Sequence, residues 1–399
     1  MRDQFLLDPK VIFLNHGSFG ACPRAVLGAQ AAWQREMERN PVEFLGRRSA
    51  TLLAEARDRL AAALGARGED LVFVANATTG VTAAARSLDL QPGDEVLTTN
   101  HEYGACDAGW ERTCRETGAR LVRVAIPVPF ARGEFTDRLL GGVTPRTRAL
   151  ALSHITSATA LIFPVAEVCG AARQRGVLTV VDGAHGPGQV PLDLAALGAD
   201  FYIGNCHKWL CAPKGTAFLH ARPEHHGALQ PPVVSWGSLA VEGTPSEWDA
   251  YTGRSSLERR LQWQGTRDLS GFLAVPSALE FLRRHHWEDK ARARCHDLVV
   301  EARERLLAVL GTRPLAAPED LGLMAAAALP LGVGEELQER LLTRHHIEVP
   351  VTRLGDLELL RFSCHLYTTP RDLEALLDAI RAEVSRSDGG SCSSRRTWR

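Results

Sequence analysis

Short apolar runs alternate with amphipathic stretches along the first two thirds of the chain. The apolar runs have the length of buried strands and lie at residues 71–75, 95–99, 121–125, 149–153 and 178–181. The amphipathic stretches predict helices at residues 25–39, 50–64, from 78 onward, 104–118 and 165–175. Short strands between helices indicate a mainly parallel sheet covered on both faces, which is an α/β fold. Ligands of such sheets bind beyond the carboxyl ends of the strands.

The pattern changes near residue 269. Two long helical stretches precede shorter strands and helices, at residues 271–284, 289–310, 325–329, 335–345, 346–351, 358–363 and 370–383. This mixture predicts a smaller α+β domain. The predicted organisation is an N-terminal arm, a large domain, a small C-terminal domain and a tail, at residues 1–20, 21–268, 269–384 and 385–399. The tail is rich in Ser, Gly and Arg, a composition that predicts disorder.

The bulk composition argues against several classes of protein. The 399 residues carry a net charge of −1 without a basic stripe, so a nucleic-acid partner is not expected. The sequence lacks an apolar run long enough to span a bilayer, and its first residues lack the apolar core of a signal peptide. The nine cysteines are scattered, odd in number and without zinc-site spacing. They indicate reduced thiols, and with them a cytoplasmic protein without a membrane partner.

Two of the apolar runs end in residues that carry chemistry. One run leads into Val-Asp-Gly-Ala-His (181–185), and the next leads into Gly-Asn-Cys-His-Lys-Trp (204–209). This order is typical of a pyridoxal phosphate (PLP) site, in which Lys208 would hold the cofactor as a Schiff base. Asp182 would pair with the pyridine nitrogen and keep it protonated. The ring could then accept electrons when a bond at the substrate Cα breaks.

A third segment fits the phosphate of such a cofactor. Asn-Ala-Thr-Thr-Gly (76–80) lies between a predicted strand and a predicted helix. Free backbone N–H groups at a helix N-terminus, together with threonine hydroxyls, can cradle a phosphate. A plain helix cap would explain the same residues. The presence of Lys208 in the same chain favours the cradle.

Taken together, the motifs resemble the class V aminotransferase family of fold-type I PLP enzymes, and within it the isopenicillin N epimerase-like branch. The resemblance extends from about residue 13 to about residue 383. Further motifs that carry it are Leu-Asn-His-Gly-Ser-Phe-Gly (14–20), His-Glu-Tyr (101–103), Ser-His-Ile-Thr-Ser-Ala-Thr-Ala-Leu-Ile-Phe-Pro (153–164), Val-Ser-Trp-Gly (234–237), Gly-Thr-Arg-Asp (265–268) and Arg-Phe-Ser (361–363). Their order and spacing are specific to the superfamily and much less specific to a reaction. The fold implied is a large PLP-binding domain with a smaller C-terminal domain.

The resemblance implies which residues would hold the phosphate. Thr78 would contribute its hydroxyl, Thr79 its backbone, and His207 its ring. Asn205 stands where the family often has serine, and its amide can still donate to phosphate. Thr266 resembles the threonine that reaches the neighbouring subunit's phosphate across a dimer interface, which implies a homodimer with shared sites.

The resemblance also assigns contacts to the cofactor ring. Tyr103 occupies the position at which relatives place a ring over the cofactor. His185, often glutamine in relatives, would contact the phenolic oxygen, and Ser157 would lie near the same oxygen. Because His185 is a histidine, its protonation and the direction of its hydrogen bond are open at this stage.

The substrate implied is an amino acid. Arg361 resembles the small-domain arginine that binds the substrate α-carboxylate, and a guanidinium fork matches two carboxylate oxygens. Its position inside an apolar strand, Leu-Leu-Arg-Phe (359–362), favours this role over a surface charge. Asn15 and His16 would line the substrate pocket.

Three reactions fit these residues. The first is epimerisation or racemisation, with Lys208 as one base and Tyr103 or a histidine as the other. The second is β-elimination by a C–S lyase, because plant cysteine desulfhydrase-like proteins share the His-Lys-Trp and Gly-Thr-Arg-Asp motifs. The third is transamination. Desulfuration through a persulfide is disfavoured, because residues 348–356 contain no cysteine to carry the sulfur.

Two further hypotheses rank lower. A non-catalytic binding module on this scaffold would not need both Lys208 and Asp182. A hydrolase built on Ser153 and His154 is disfavoured because adjacent residues of a strand point to opposite faces.

Overall fold

Two sheets and a short strand pair organise the computed structural model, which describes residues 1–239, 243–334 and 336–390. The strands β1 to β12 are, in order, Ile12–Phe13, Leu71–Val74, Glu95–Thr99, Arg120–Val124, Thr147–Ser153, Leu178–Gly183, Phe201–Asn205, Ala217–Ala221, Met324–Ala328, Ile347–Glu348, Val351–Leu354 and Leu357–Ser363. The longer helices α1 to α10 are Arg24–Arg39, Ser49–Ala63, Ala77–Ser87, Gly104–Thr117, Arg132–Leu140, Val165–Arg173, Val275–Arg284, Arg292–Leu310, Leu337–His345 and Pro370–Gly390. Shorter α-helical segments lie at His16–Phe19, Pro41–Glu43, Leu194–Leu197, Asp249–Thr252, Ser256–Leu261 and Ser270–Leu273.

The larger sheet has seven strands in the order β2-β8-β7-β6-β5-β3-β4. The pairs from β7 through β6, β5 and β3 to β4 are all parallel. Only β8 runs against its neighbours β2 and β7. The prediction of an α/β fold with a mainly parallel sheet is therefore confirmed. The antiparallel strand was not predicted.

Both faces of this sheet are buried, as the apolar strands predict. Alternate residues of β6 show the division: Val180 enters one core and Val181 the other. The core that contains Val180 is covered by α3 and α4, and the core that contains Val181 by α1, α2, α6 and α7. Because both faces are covered, the ends of the strands are the places where polar side chains can meet a ligand.

The smaller sheet, of order β11-β12-β9, is antiparallel, and α8 packs against it. The N-terminal segment pairs with the C-terminal part of the chain, because β1 runs parallel to β10. One strand was predicted at residues 346–351, but β10 and β11 flank Pro350, which has no N–H to give to a ladder. The segment therefore crosses from one strand pair to the other sheet.

Two further differences concern helices. Helix α5 was not predicted. Helix α10 continues to Gly390, beyond the predicted end at residue 383 and into the predicted tail, of which residues 391–399 lie outside the described residues. None of the helices in the described part of the chain has the length and apolar character needed to cross a bilayer.

Candidate active site

A cavity of about 480 Å³ opens beyond the carboxyl ends of β2, β5, β6 and β7. Its walls bring together residues that are up to 197 positions apart, from Ser18 to Gly215. Most of the residues predicted for the cofactor line it: Thr78, Tyr103, Ser157, Asp182, His185, Asn205, His207 and Lys208. Sheet topology explains the gathering, since Asp182 lies at the end of β6 and Lys208 just after the neighbouring β7.

Asp182 is buried, with 7% of its surface exposed, and its carboxylate is held from two sides. The backbone N–H of Ala184 donates to Oδ1 over 2.9 Å, and the thiol of Cys106 donates to Oδ2 over 3.2 Å. No arginine, lysine or histidine of the described residues forms an ion pair with Asp182. An anionic side chain with spare acceptor capacity therefore faces the cavity, as a pyridinium partner requires.

Lys208 meets His185 rather than a carboxylate. Its Nζ lies 3.0 Å from Nε2 of His185, whose Nδ1 accepts a hydrogen bond of 3.2 Å from the indole N–H of Trp209. Burial and the charge of Arg361 lower the pKa of Lys208 to about 8, against the opposing effect of Asp182. Burial also lowers the pKa of His185 well below its usual value. With a pKa of about 8, Lys208 therefore offers the neutral, nucleophilic amine in a much larger fraction than an ordinary lysine, beside a neutral His185.

The phosphate end of the cavity lies at the N-terminus of α3. Thr78 lines it in the first turn, and Asn205 accepts a hydrogen bond from the Ala77 N–H over 2.9 Å. This contact uses Oδ1 of Asn205 and leaves its NH₂ group for an anion. His207 also lines the cavity, and its Nδ1 lies 2.8 Å from the carbonyl of Thr216.

The ring of His207 is neutral in this arrangement, since burial lowers its pKa to about 4. The carbonyl of Thr216 can only accept, so Nδ1 carries the proton and Nε2 is bare. An anionic phosphate beside the ring would favour the charged form, in which Nε2 is also a donor. His207 can therefore serve a phosphate only by taking up a proton with it.

The backbone of Thr79 was predicted to contact the phosphate, but its N–H already has another partner. Its N–H and its hydroxyl both pair with Oδ1 of Asn76, at 2.8 and 3.0 Å. Asn76 is thus a helix cap, as the simpler interpretation of the segment predicts. The cap leaves Thr78 in the cavity wall, so the phosphate cradle at this helix end stays a prediction.

Arg361 lies behind the cavity wall, with 3% of its surface exposed. Its Nη1 donates to the hydroxyl of Ser157 over 3.2 Å and also to the Ser157 carbonyl. Its Nη2 donates to the hydroxyl of Ser18 over 3.1 Å. Burial lowers the pKa of Arg361 to about 10, which leaves the group charged at neutral pH. Arg361 is thus a buried cation whose hydrogen bonds go to two serine hydroxyls, and a carboxylate that displaced them could bind it.

The two N-terminal residues predicted for the substrate pocket lie beside it rather than in its wall. His16 is fully buried, with one ring nitrogen 2.9 Å from the Tyr367 hydroxyl and the other 3.0 Å from the Lys208 carbonyl. Asn15 accepts a hydrogen bond from Ser18 over 2.5 Å and donates to Glu348. Residues of this segment that do line the cavity are Ser18 and Phe19.

Two predicted residues are exposed. Tyr103 lines the mouth of the cavity with 49% of its surface exposed. Thr266 is exposed and lies outside the wall of its own chain's cavity. That placement is the one expected of a residue that serves a neighbouring subunit, and it leaves the cross-subunit role a prediction.

Several functional neighbours were missed by the sequence reasoning. They are Ser18, Phe19, Cys106, Ser153, Trp209 and Lys214. Trp209 and Ser18 belong to recognised motifs, so their place near the site could have been suspected. Cys106 contacts Asp182 from a helix 76 residues away, which local sequence does not reveal.

Comparison with known proteins agrees with this geometry. The profile described as aminotransferase class-V matches residues 13–376. The chain is 41% identical to an isopenicillin N epimerase of Amycolatopsis lactamdurans over 96% of this chain and 98% of the relative. It is 33% identical to a probable chloroplastic L-cysteine desulfhydrase of Arabidopsis thaliana, over 97% of this chain and 85% of that one. A cysteine desulfurase structure from Escherichia coli superposes with a TM-score of 0.79 at 25% identity, covering 96% of this chain and 98% of that chain.

The profile match spans most of the chain, and the two relatives named above align with 96% and 97% of it. The predicted resemblance is thus confirmed, and so is the prediction of an enzyme. The chain belongs to the class V aminotransferase family.

Proposed function

We propose that this chain is a PLP-dependent enzyme that removes the Cα proton of an amino acid, and that its reaction is epimerisation. The observation that carries the proposal is the meeting of Lys208, Asp182 and the N-terminus of α3 in one cavity. These are an amine, an acid and an anion site. The amine would bond to the carbonyl carbon of PLP, the acid would pair with its ring nitrogen, and the anion site would bind its phosphate.

Each residue has a distinct task in this proposal. The bound cofactor supplies an electron sink for the substrate Cα. Asp182 holds the ring proton electrostatically, because its carboxylate is fixed by Ala184 and Cys106 and still faces the cavity. Lys208, whose pKa of about 8 makes the neutral amine accessible near neutral pH, accepts the Cα proton as a general base. Arg361 orients the substrate by its carboxylate.

Inversion at Cα needs a proton donor on the face opposite Lys208. Tyr103 lies at the mouth of the same cavity and carries a phenol, which can both give and take a proton. We infer that it is the second acid–base group. The 41% identity to an isopenicillin N epimerase favours this reaction over the others.

C–S β-elimination is the second candidate, favoured by 33% identity to a probable L-cysteine desulfhydrase. It begins with the same proton removal by Lys208 and then expels a sulfur leaving group. Persulfide chemistry is disfavoured, because residues 348–356 carry no cysteine and Cys206 and Cys211, beside Lys208, are fully buried. Burial also raises the pKa of both thiols, which keeps them protonated and poorly nucleophilic.

We also propose a homodimer in a reducing, cytoplasmic setting. The exposed Thr266 and the half-exposed Tyr103 support a second subunit at the mouth of the cavity. The eight cysteines of the described residues are all free thiols, which supports a reducing compartment.

The reaction is tested by incubating the purified enzyme in deuterated water with a panel of L-amino acids, peptides with a terminal amino-acid carboxylate, and cysteine conjugates. Incorporation of deuterium at Cα with inverted configuration and no keto acid supports epimerisation. Pyruvate, ammonia and sulfide from cysteine would instead establish the lyase. No exchange with any member of the panel, despite bound cofactor, would contradict proton removal at Cα.

A further inference from the structure

Trp209 contacts the site through one hydrogen bond, and the proposed reaction gives this residue no task. Its indole Nε1–H points to Nδ1 of His185 over 3.2 Å, and the opposite nitrogen of His185 lies 3.0 Å from Lys208 Nζ. Trp209 and His185 are buried, with 0% and 3% of their surfaces exposed. The three side chains therefore form a short chain of contacts from the protein interior to the catalytic amine.

The position of each proton in this chain follows from the chemistry of the groups. An indole N–H can only donate, so Nδ1 of His185 must accept. A neutral imidazole with a bare Nδ1 carries its single proton on Nε2. Nε2–H then faces Lys208, and two N–H donors cannot face each other at hydrogen-bond distance. The contact is satisfied only when Lys208 Nζ offers its lone pair.

We propose that Trp209 is a positioning residue, which fixes His185 as the Nε2–H tautomer and thereby favours the free amine of Lys208 over its ammonium form. The idea rests on the proposed function only in so far as Lys208 is the residue that takes the cofactor. A free amine is the form that can attack a carbonyl carbon. Trp209 thus prepares the lysine for cofactor capture and leaves His185 with a fixed donor toward the cavity.

The indole of Trp209 is tightly surrounded. It is 0% exposed, and its ring packs on His16 at a centroid distance of 5.0 Å and on His365 at 6.1 Å. Its backbone and ring also lie close to Gly188 and Gly17. The N–H donor is therefore aimed at His185 by a packed environment within the chain itself.

The charges around the pair act in the same direction. The titratable groups that face His185 or Lys208 from the surrounding elements are His16, Cys106, Asp182, His207 and Arg361. Burial and the Arg361 charge lower the pKa of Lys208, while Asp182 opposes them. The charges of Lys208 and Arg361 also disfavour a second proton on His185. With a single proton left on the ring, the choice between its two nitrogens falls to Trp209.

Replacing Trp209 with phenylalanine isolates this choice. Trp209→Phe keeps an aromatic ring and removes the only donor to Nδ1 among the described residues. His185 can then carry its proton on Nδ1 and accept at Nε2 from a charged Lys208. We expect this exchange to favour the ammonium form, so the Lys208 pKa rises by about one unit.

The first measurement needs no substitution at Trp209. Histidine labelled with ¹⁵N in the full-length protein, with cofactor bound and after its removal, reports which ring nitrogen is protonated. The His185 signals are assigned by their loss in His185→Gln. We expect the Nε2–H pattern in the wild type above about pH 8, where Lys208 is mainly the free amine. A protonated Nδ1 in the wild type would overturn the proposal directly.

The second measurement compares Trp209→Phe with Trp287→Phe. Trp287 is a matched control, because its indole N–H also donates inside the protein, to the Gly188 carbonyl over 2.8 Å, without touching His185. The pH midpoint for acetylation of Lys208 in cofactor-free protein, followed by mass spectrometry, should rise in Trp209→Phe and not in Trp287→Phe. An equal shift in both variants would show a general packing effect and refute the assignment.

The third measurement removes the tautomer itself. In His185→Leu the side chain has neither a donor nor an acceptor, so the further change Trp209→Phe should leave the Lys208 midpoint where it is. The same shift in both backgrounds would mean that Trp209 acts without His185, which contradicts the proposal. These readouts do not depend on turnover, so a wrong reaction assignment would leave them unchanged.

Discussion

The floor and the rim of the cavity differ in how complete they are within one chain. The floor is defined as Asp182, His185 and Lys208; the first two are buried, Lys208 is half-buried, and each of the three side chains has a polar partner. The rim, defined as Phe19 and Tyr103, is 72% and 49% exposed and offers large apolar surfaces to whatever covers it. A site with paired polar groups on its floor and an exposed apolar rim is the form expected when a second protein surface covers the rim. We infer that the floor sets the reaction and that the rim depends on assembly.

The largest effect should follow removal of the floor's amine. Lys208→Ala should lose the visible absorbance band of covalently held cofactor and at least about 10³-fold in turnover, because both the attachment point and the general base are gone. Absorbance spectra and steady-state rates measure this, with the exposed Lys290→Ala as the control. Substantial turnover in the variant would mean that the floor is not where the reaction occurs.

The second largest effect should come from Asp182. Asp182→Asn keeps the size of the side chain and removes its charge, so cofactor should still bind through the phosphate end. Turnover should fall by about 10²- to 10³-fold, as when one preorganised electrostatic group is lost. Asp193→Asn is a suitable control, since Asp193 caps a short helix on the surface and asparagine caps equally well. Near-normal rates in Asp182→Asn would remove Asp182 from the role of ring partner.

The contrast between floor and rim also explains what sequence could predict. Asp182 and Lys208 follow adjacent parallel strands, and strand ends meet at one edge of a sheet, so two local motifs were enough. The contact from Arg361 to Ser18 joins residues 343 positions apart. Ser18 reaches Arg361 because β1, just before it in the chain, pairs with β10, and no local sequence pattern encodes that pairing. The same holds for Cys106, which reaches Asp182 from a helix face.

The burial of Arg361 gives the third prediction. Arg361→Ala should lower kcat/KM by about 10²-fold through lost carboxylate binding, and should slow Cα hydrogen exchange with it. Arg353→Ala removes an exposed arginine from the neighbouring strand and should change neither quantity. The wild type should turn over an amino acid faster than the corresponding amino amide, which lacks the carboxylate. In Arg361→Ala the two substrates should react at similar rates. Persistence of the full preference would place the carboxylate elsewhere.

The rim is tested by a smaller effect. Thr266→Ala should weaken cofactor retention by about tenfold, the value of one hydrogen bond to a charged group. The wild type should run at about twice the 43.5 kDa mass of the chain or more. Mixed dimers of Thr266→Ala and Lys208→Ala subunits would have one site with both residues intact, so they should recover part of the activity. A fully active monomer would contradict the idea that the rim needs a second chain, and Thr343→Ala controls for loss of an exposed threonine.

The smallest effect concerns Glu102, whose carboxylate accepts hydrogen bonds from the hydroxyls of Thr99 and Ser153 at 2.6 and 2.7 Å. Burial raises its pKa from 4.5 to about 7, and the nearby Asp182 contributes to the rise. Between about pH 4.5 and 7, Glu102 therefore keeps its proton in the folded protein and has lost it in the unfolded chain.

Stability linked to Glu102 is then fully present below pH 4.5 and is lost as the pH rises through about 7. Glu102→Gln should flatten this part of the pH profile of the free energy of unfolding. Relative to pH 5, the variant should gain on the wild type at pH 8 by about 1–3 kcal/mol. Urea unfolding of cofactor-free protein at the two pH values measures the difference, with the exposed Glu38→Gln as control. A parallel pH profile in Glu102→Gln would show that Glu102 is already charged beside Asp182 in the folded protein, which contradicts the raised pKa.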